Sequence, residues 1–160
     1  MYDENIMRLS AKRAQETMSA GQGGPFGAAI VRHGEIIAIE SNTVLADNDP
    51  TAHAEINAIR AACQVLGTHD LHDCELYATG YPCPMCLSAI IWANIKTVYV
   101  SGSAESAENI GFRDLHIYNY IEHGRKEPEP NDPILNIYQE DPVFAVSLYE
   151  EYAESHREIY

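Results

Sequence analysis

A histidine and a glutamate, followed downstream by two closely spaced cysteines, constrain this chain more than any other feature. His53 stands two residues before Glu55, and Cys83 and Cys86 are three residues apart. One imidazole and two thiolates suit zinc, and a site with three protein ligands keeps a fourth position open for water or hydroxide. The pattern therefore predicts a catalytic zinc site, one ion per subunit, with His53, Cys83 and Cys86 as ligands. Glu55 would be its catalytic acid and base.

The cysteine pair alone leaves two interpretations open. It follows a predicted strand and opens a predicted helix, where the positive end of the helix dipole stabilises thiolates. Pro84 suits the first turn of that helix because it has no N–H to lose. However, Cys-Pro-x-Cys after a strand is also typical of a thioredoxin-like redox pair. The His53 and Glu55 positions upstream favour the metal.

Each of these two upstream residues has an ordinary structural interpretation as well. A histidine at a helix start often serves as a polar surface or capping residue, and a glutamate in a first turn often complements the helix dipole. Positions i and i+2 do not share a face of a regular helix, so both side chains must use the first turn. Their order ahead of Pro-Cys-x-x-Cys favours a metal site over these structural interpretations.

Composition and charge restrict the partners. The 160 residues fit a single domain over 1–160. The chain has 24 acidic and 10 basic residues, so its net charge is -14. This charge repels phosphate backbones and argues against a nucleic-acid partner. A small-molecule substrate is favoured instead.

No stretch approaches the roughly 20 apolar residues of a membrane span, and the N-terminus lacks an apolar signal core, so we expect a cytoplasmic protein without a membrane partner.

Periodicity and turn residues predict an α/β sandwich. Helices are predicted over 3–20, 51–66, 85–93, 114–122 and 142–157, and strands over 27–32, 36–39, 74–79 and 97–101, with a weaker strand over 134–139. Thr51 would cap the second helix. Polar loops are expected over 42–50 and, rich in proline, over 127–133. Cys63 and Cys74 are predicted to be buried apolar residues.

The zinc motif and its surroundings resemble the cytidine-deaminase-like zinc-dependent nucleobase deaminases, whose signature is H-x-E followed by P-C-x-x-C. Within that superfamily the resemblance is greatest to bacterial guanine deaminases, and it covers roughly residues 5 to 120. The runs that carry it are Gly-Gly-Pro-Phe-Gly-Ala at 23–28, Asn-Asp-Pro-Thr-Ala-His-Ala-Glu at 48–55, Cys-Pro-Met-Cys-Leu at 83–87, Ile-Trp-Ala at 91–93 and Gly-Phe-Arg-Asp at 111–114.

This resemblance implies a three-layer α/β/α sandwich with a mixed central sheet, and hydrolysis of guanine to xanthine and ammonia. The substrate-binding residues that it implies are Phe26, Asn42, Ala54, Trp92, Asp114 and Tyr160. Asn42 would hydrogen-bond the base, and Asp114 would accept hydrogen bonds from purine N–H groups. It also implies a homodimer in which a C-terminal segment, about 134–160, crosses to the partner subunit so that Tyr160 closes the active site.

Most of these substrate-binding residues have structural alternatives. Asn42 could form a turn, Phe26 could anchor one, and Trp92 could pack in the core. Asp114 could cap the helix that follows it, and Tyr160 could be a disordered chain end.

Two residues depart from the family pattern and leave other functions open. Tyr81 stands where relatives commonly carry an acidic residue, and Gly80 is unusual beside it. Residues beside a metal site tune its substrate, so guanosine, cytosine, a pterin or a triazine are alternatives. A tRNA adenosine deaminase shares the zinc motif. A structural zinc module is the non-enzyme alternative, and it needs a fourth protein ligand, for which His69, His72 and Cys74 are nearest in sequence.

Overall fold

The computed structural model describes residues 1–123, 134–135, 137–138 and 140–155. Within these residues there are four strands and seven helices. The strands are β1 (Gly27–Arg32), β2 (Glu35–Ser41), β3 (Cys74–Ala78) and β4 (Thr97–Val100). The helices are α1 (Glu4–Ser19), α2 (Val44–Asp47), α3 (Ala54–Leu66), α4 (Pro84–Trp92), α5 (Ala104–Glu108), α6 (Asp114–Glu122) and α7 (Pro142–Glu154). None of the helices in the described part of the chain has the length and apolarity to span a bilayer.

The chain divides into two compact units, Met1–Tyr118 and Asn119–Tyr160. The first unit contains the whole sheet and helices α1 to α5. The prediction of a single domain over 1–160 stays a prediction.

The four strands form one mixed sheet in the order β2-β1-β3-β4. Strand β1 is antiparallel to both of its neighbours, whereas β3 and β4 are parallel. Every residue of β1 before Arg32 is buried, which is why this strand reads as a continuous run of apolar and small residues. The predicted mixed central sheet is confirmed.

Helices cover both faces of this sheet. On one face α1 buries Ile6 against the sheet, and on the opposite face α3 buries Ala58 and Ala62. Because successive strand residues point to opposite faces, Ala28 and Ala29 of β1 belong to these two different core clusters. The predicted three-layer α/β/α sandwich is confirmed.

Gly27 allows α1 to lie directly on the first residue of β1. A Cβ atom at this position would lie only 2.1 Å from the Ser10 carbonyl oxygen of α1. No side chain fits there, because the obstacle is backbone and cannot rotate away. The glycine therefore fixes how closely the first helix approaches the sheet, beside the strand that leads to the site.

The prediction that Thr51 caps the second helix is wrong. Helix α3 begins at Ala54, with His53 as its N-cap residue. The Thr51 hydroxyl instead donates to the Asp49 carboxylate at 2.7 Å, and the Thr51 amide donates to the same oxygen. Because Asp49 forms this local turn, Thr51 is held outside the helix, and the helix starts at the predicted metal ligand.

Two short helices are absent from the sequence predictions. Helix α2 lies inside the predicted loop over 42–50, and α5 follows β4. The Ser103 hydroxyl caps α5 by accepting the Ser106 amide at 3.1 Å. Both helices are too short to show an apolar period, so the sequence pattern does not predict them.

The remaining differences lie near the C-terminus. The described residues of the weaker strand candidate, 134–135 and 137–138, are not in a strand, so that prediction is wrong for them. The predicted last helix is present as α7, which ends at Glu154. The predicted proline-rich loop over 127–133 and the residues after 155 lie outside the described part of the chain.

Candidate active site and metal centre

The first predicted ligand, His53, is held at the start of α3 by its neighbours. Its backbone is extended, with φ -72° and ψ 156°, which is the usual N-cap conformation. One turn later, the Asn57 side chain donates to the Ser41 carbonyl and to the Thr43 hydroxyl, each at 2.9 Å. These bonds attach the first turn of α3 to the end of β2 and so fix the position of His53 relative to the sheet.

The two cysteines lie at the start of the next helix. Cys83 is the N-cap residue of α4, Pro84 is its first helical residue, and Cys86 lies within the first turn. Both thiols are buried, and the Cys86 side chain is fully so. Strand β3 and helix α3 pack on one another in the same core. The strand therefore delivers the turn before Cys83 to the N-terminus of α3.

The three predicted ligands fit zinc. The His53 Nδ1 atom lies 3.5 Å from Cys83 Sγ and 3.6 Å from Cys86 Sγ. In a tetrahedral site with Zn–S about 2.3 Å and Zn–N about 2.0–2.1 Å, a nitrogen and a sulfur are about 3.6 Å apart. All three ligand atoms lie within 4.8 Å of one another. The donor set and its spacing are those of a zinc site with three protein ligands.

The structural-zinc alternative would need a fourth protein ligand. Among the residues that the structure describes, His53, Cys83 and Cys86 are the one group of three or more metal-binding side chains. Neither His69, His72 nor Cys74 joins it. Three ligands leave one coordination position for water, which is the arrangement of a catalytic centre.

A hydrogen bond with the Cys86 thiol lowers the pKa of Cys83 well below its ordinary value. This shift favours the thiolate form of Cys83. The thiolate is the form of cysteine that binds zinc.

Glu55 lies beside these ligands and is almost completely buried, with 7% of its surface exposed. Its Oε2 atom lies 3.5 Å from the Cys86 sulfur. Burial raises the pKa of the Glu55 carboxyl above its ordinary value. A carboxyl group whose pKa is shifted towards neutrality can both take and return a proton, which is the requirement for general acid and base catalysis.

A pocket opens onto His53, Cys83 and Glu55. The other residues that line it are Phe26, Asn42, Tyr81, Phe112 and Asp114. Three of the residues predicted to bind substrate, Phe26, Asn42 and Asp114, thus share one pocket with the metal-binding group.

Asn42 follows β2 and is 4% exposed. Its Oδ1 atom accepts the amides of Gly24, at 3.1 Å, and of Val44, at 3.2 Å. The bond to Val44 is the turn-forming contact that the sequence left open. With the oxygen used in this way, the Nδ2 group remains as the donor that this pocket-lining side chain can offer a ligand. Gly23 permits the arrangement, because a Cβ atom there would lie 2.0 Å from the Asn42 carbonyl oxygen.

An aromatic pair forms one wall of the pocket. The rings of Phe26 and Phe112 meet edge to face, with centroids 4.7 Å apart and an interplanar angle of 80°. Gly80 makes room for this pair, since a Cβ atom there would lie 3.0 Å from Phe26. Sequence reasoning missed Phe112, although it stands two residues before Asp114 in the family-like run at 111–114.

The pocket also contains Asp114 and Tyr81. Asp114 is the first residue of α6 and is half-buried, and this burial raises the pKa of its carboxyl. Tyr81 is 44% exposed and lies two residues before Cys83. A carboxylate and a phenol therefore stand near the metal-binding group, where they can meet polar edges of a planar substrate.

Of the other three residues predicted to bind substrate, Ala54 and Trp92 do not line this pocket. Ala54 is fully buried at the start of α3. Trp92 is the last residue of α4 and is 68% exposed, so the alternative of core packing is wrong for it. Tyr160 lies outside the described residues. Contacts of these residues with substrate stay predictions.

A model of the cytidine and deoxycytidylate deaminase zinc-binding region matches residues 1–102. The chain belongs to this family. Membership confirms the predicted resemblance and makes the protein a zinc-dependent deaminase. His53, Cys83 and Cys86 all lie within the matched region.

Individual relatives of this zinc-dependent deaminase differ in how much of the chain they match. The guanine deaminase of Bacillus subtilis is 48% identical over 127 residues, which are 79% of this chain and 81% of the relative. The X-ray structure of guanine deaminase from Bacillus subtilis matches with a TM-score of 0.89 at 40% identity, covering 100% of this chain and 99% of that one. A tRNA-specific adenosine deaminase of Aquifex aeolicus is 42% identical over 101 residues, or 63% of this chain and 66% of the relative.

Proposed function

We propose that this deaminase hydrolyses guanine to xanthine and ammonia. The observation that carries the proposal is Asp114, a carboxylate in the same pocket as the metal-binding group and Glu55. Guanine offers N–H donors along its edge, and a carboxylate is an acceptor for them. The similarity to Bacillus subtilis guanine deaminase over the whole length of the chain supports the same substrate.

The chain's own groups supply the proton transfers. Zinc held by His53, Cys83 and Cys86 would supply Lewis-acid activation of a water molecule. Glu55 takes a proton from that water as the oxygen adds to the amino-bearing carbon, and it delivers the proton to the adjacent ring nitrogen. It then takes the remaining proton from the added hydroxyl and delivers it to the leaving amine, so that the C–N bond breaks, C–NH2 becomes C=O and ammonia departs. Water and guanine are consumed, and xanthine and ammonia are formed.

The pocket walls orient the base for this reaction. The Asn42 Nδ2 group can donate to a purine acceptor, and the Asp114 carboxylate can accept from purine N–H groups. Phe26 and Phe112 offer an apolar surface against which a planar ring can pack. The amino-bearing carbon is thereby presented to Glu55.

Asp114→Asn is expected to lower kcat/KM for guanine by about 10- to 100-fold, because it replaces a charged acceptor with an amide whose NH2 faces a donor. Steady-state kinetics with guanine measure the effect. Glu108→Gln is the matched control, since it removes one negative charge from an exposed position on α5. Equal kcat/KM values in both variants and the parent would remove Asp114 from substrate recognition.

A tRNA adenosine deaminase is the second candidate, because the Aquifex aeolicus enzyme of that name is 42% identical over 101 residues. The net charge of -14 argues against it, since RNA binding relies on neutralising phosphates. Deamination of a tRNA substrate that weakens steeply with salt, with no turnover of free guanine, would favour this candidate.

We also propose a homodimer in which the segment 134–160 is exchanged between subunits and Tyr160 closes the partner's pocket. Helix α7 supports the exchange, because its apolar side chains are 63 to 72% exposed at Val143, Phe144, Leu148 and Tyr149. An apolar helix surface of this kind is typical of an interface between chains.

All four cysteines are free thiols, which fits action in the reducing cytoplasm.

Deletion of residues 156–160 is expected to lower turnover of guanine by at least about tenfold while the melting temperature changes little, since a chain end contributes closure of the pocket more than core packing. Mixing gives a sharper test. Dimers of truncated chains with full-length Glu55→Gln chains should regain activity, because an intact C-terminus from the inactive chain closes the active pocket. Full activity of the truncated protein alone, or no recovery on mixing, would contradict the exchange.

A further inference from the structure

Tyr118 connects the helix that carries Asp114 to the turn that carries the metal ligands. Its hydroxyl donates to the Pro82 carbonyl oxygen at 2.7 Å. Pro82 is buried and directly precedes Cys83. The hydrogen bond therefore ends on the peptide unit that leads into a metal ligand, although Tyr118 itself does not line the pocket.

The position of Tyr118 on its helix gives this bond a second consequence. Asp114 and Tyr118 are four residues apart on α6, so their side chains project from the same helix face. Asp114 reaches the pocket, and Tyr118 reaches the turn behind it. One hydrogen bond thus fixes the distance between the substrate-binding carboxylate and the metal-binding turn.

A ring contact reinforces the connection. The Tyr118 ring lies 6.4 Å from that of Tyr81, at an interplanar angle of 56°. Tyr81 lines the pocket and is adjacent to Pro82. The same side chain of α6 therefore contacts both the backbone and the pocket-facing ring of the turn before Cys83.

We propose that Tyr118 is a positioning residue, which holds the 81–83 turn and Asp114 in register so that zinc and substrate are bound in one geometry. The effect on guanine turnover rests on the proposed function, whereas the effect on zinc binding does not. Groups that orient metal ligands from behind typically change metal affinity or activity by about 10- to 100-fold when they are removed.

The test removes a single oxygen atom. Tyr118→Phe deletes the hydrogen bond and keeps the ring beside Tyr81. Tyr77→Phe is the matched control, because the Tyr77 hydroxyl also donates to a backbone carbonyl, that of Met1 at 3.3 Å, on the α1 face of the sheet. Zinc-loaded proteins are mixed with a chromophoric chelator, and the rate of zinc release is recorded together with the melting temperature and with kcat and KM for guanine.

Tyr118→Phe is expected to release zinc about tenfold faster than the parent and to lose about tenfold in kcat/KM, whereas Tyr77→Phe releases zinc at the parental rate. Parental zinc release in Tyr118→Phe would overturn the proposal. Equal acceleration in both variants, or a Tyr118→Phe protein that does not fold, would also overturn it by making the role one of general stability. If the parent fails to deaminate guanine, the proposed substrate fails, while the zinc-release comparison still decides the role of Tyr118.

Discussion

Glu55→Gln is expected to lose about 100- to 10,000-fold in kcat, the range that general acid and base catalysis contributes. Glutamine has nearly the same shape but can neither accept the proton of the attacking water nor return it to the leaving amine. Ammonia release from guanine measures kcat, and zinc analysis with circular dichroism shows that the variant keeps its metal and fold.

The stability of this variant gives an independent check. Burial raises the pKa of Glu55 in the folded protein above its unfolded value, so above the unfolded pKa the ionised group opposes folding. Replacing it with neutral glutamine removes that effect, and the zinc-free variant is expected to be at least as stable at neutral pH as the zinc-free parent. A variant that retains more than a tenth of the parental kcat would contradict the role of Glu55. A parent without any turnover would instead favour a structural zinc module.

Cys86→Ser is expected to weaken zinc binding by more than about 100-fold and to abolish turnover. Loss of groups that merely support the ligands costs 10- to 100-fold, so loss of a ligand costs more. Serine is close in size to cysteine, and Cys86 is fully buried, so the change removes a soft donor without creating a large cavity. Zinc content per chain is measured after dialysis against a weak chelator.

Cys74→Ser is the matched control for this variant, since Cys74 is also buried but lies outside the metal-binding group. It should keep one zinc ion per chain and the parental turnover. Full zinc content and turnover in Cys86→Ser would show that the ligand set is wrong. Zinc loss in both variants would point to a general effect of removing a buried thiol.

The metal-binding group could be predicted from the sequence because its constraints are local. His53 and Glu55 belong to one helix start, and Cys83 and Cys86 to another, so the spacing within each pair already limits the chemistry. The strands could also be predicted from the sequence. Strand β1, for example, lies between two helix layers and is almost entirely buried, so its residues form a continuous apolar run. What the sequence left open was how the two helix starts meet, and the sheet brings them together.

Pocket residues held by distant contacts were harder to predict. Phe112 packs against Phe26 in the pocket wall. The Tyr118 hydroxyl donates a hydrogen bond to the Pro82 carbonyl oxygen. No periodic pattern links residues so far apart in the chain. Trp92 illustrates the opposite difficulty, because α4 is apolar on most of its surface and its sequence does not reveal which side is exposed.

Ammonia release by the purified, zinc-loaded protein is the measurement that tests the proposed reaction most directly. The substrates are guanine, guanosine, adenine, cytosine, cytidine, a pterin and an aminotriazine. We expect fast turnover of guanine, with one xanthine formed for each ammonia released, and little turnover of the others. No turnover of guanine together with turnover of another heterocycle would contradict it. The zinc chemistry would then remain, but the pocket around Tyr81 and Asp114 would recognise a different base.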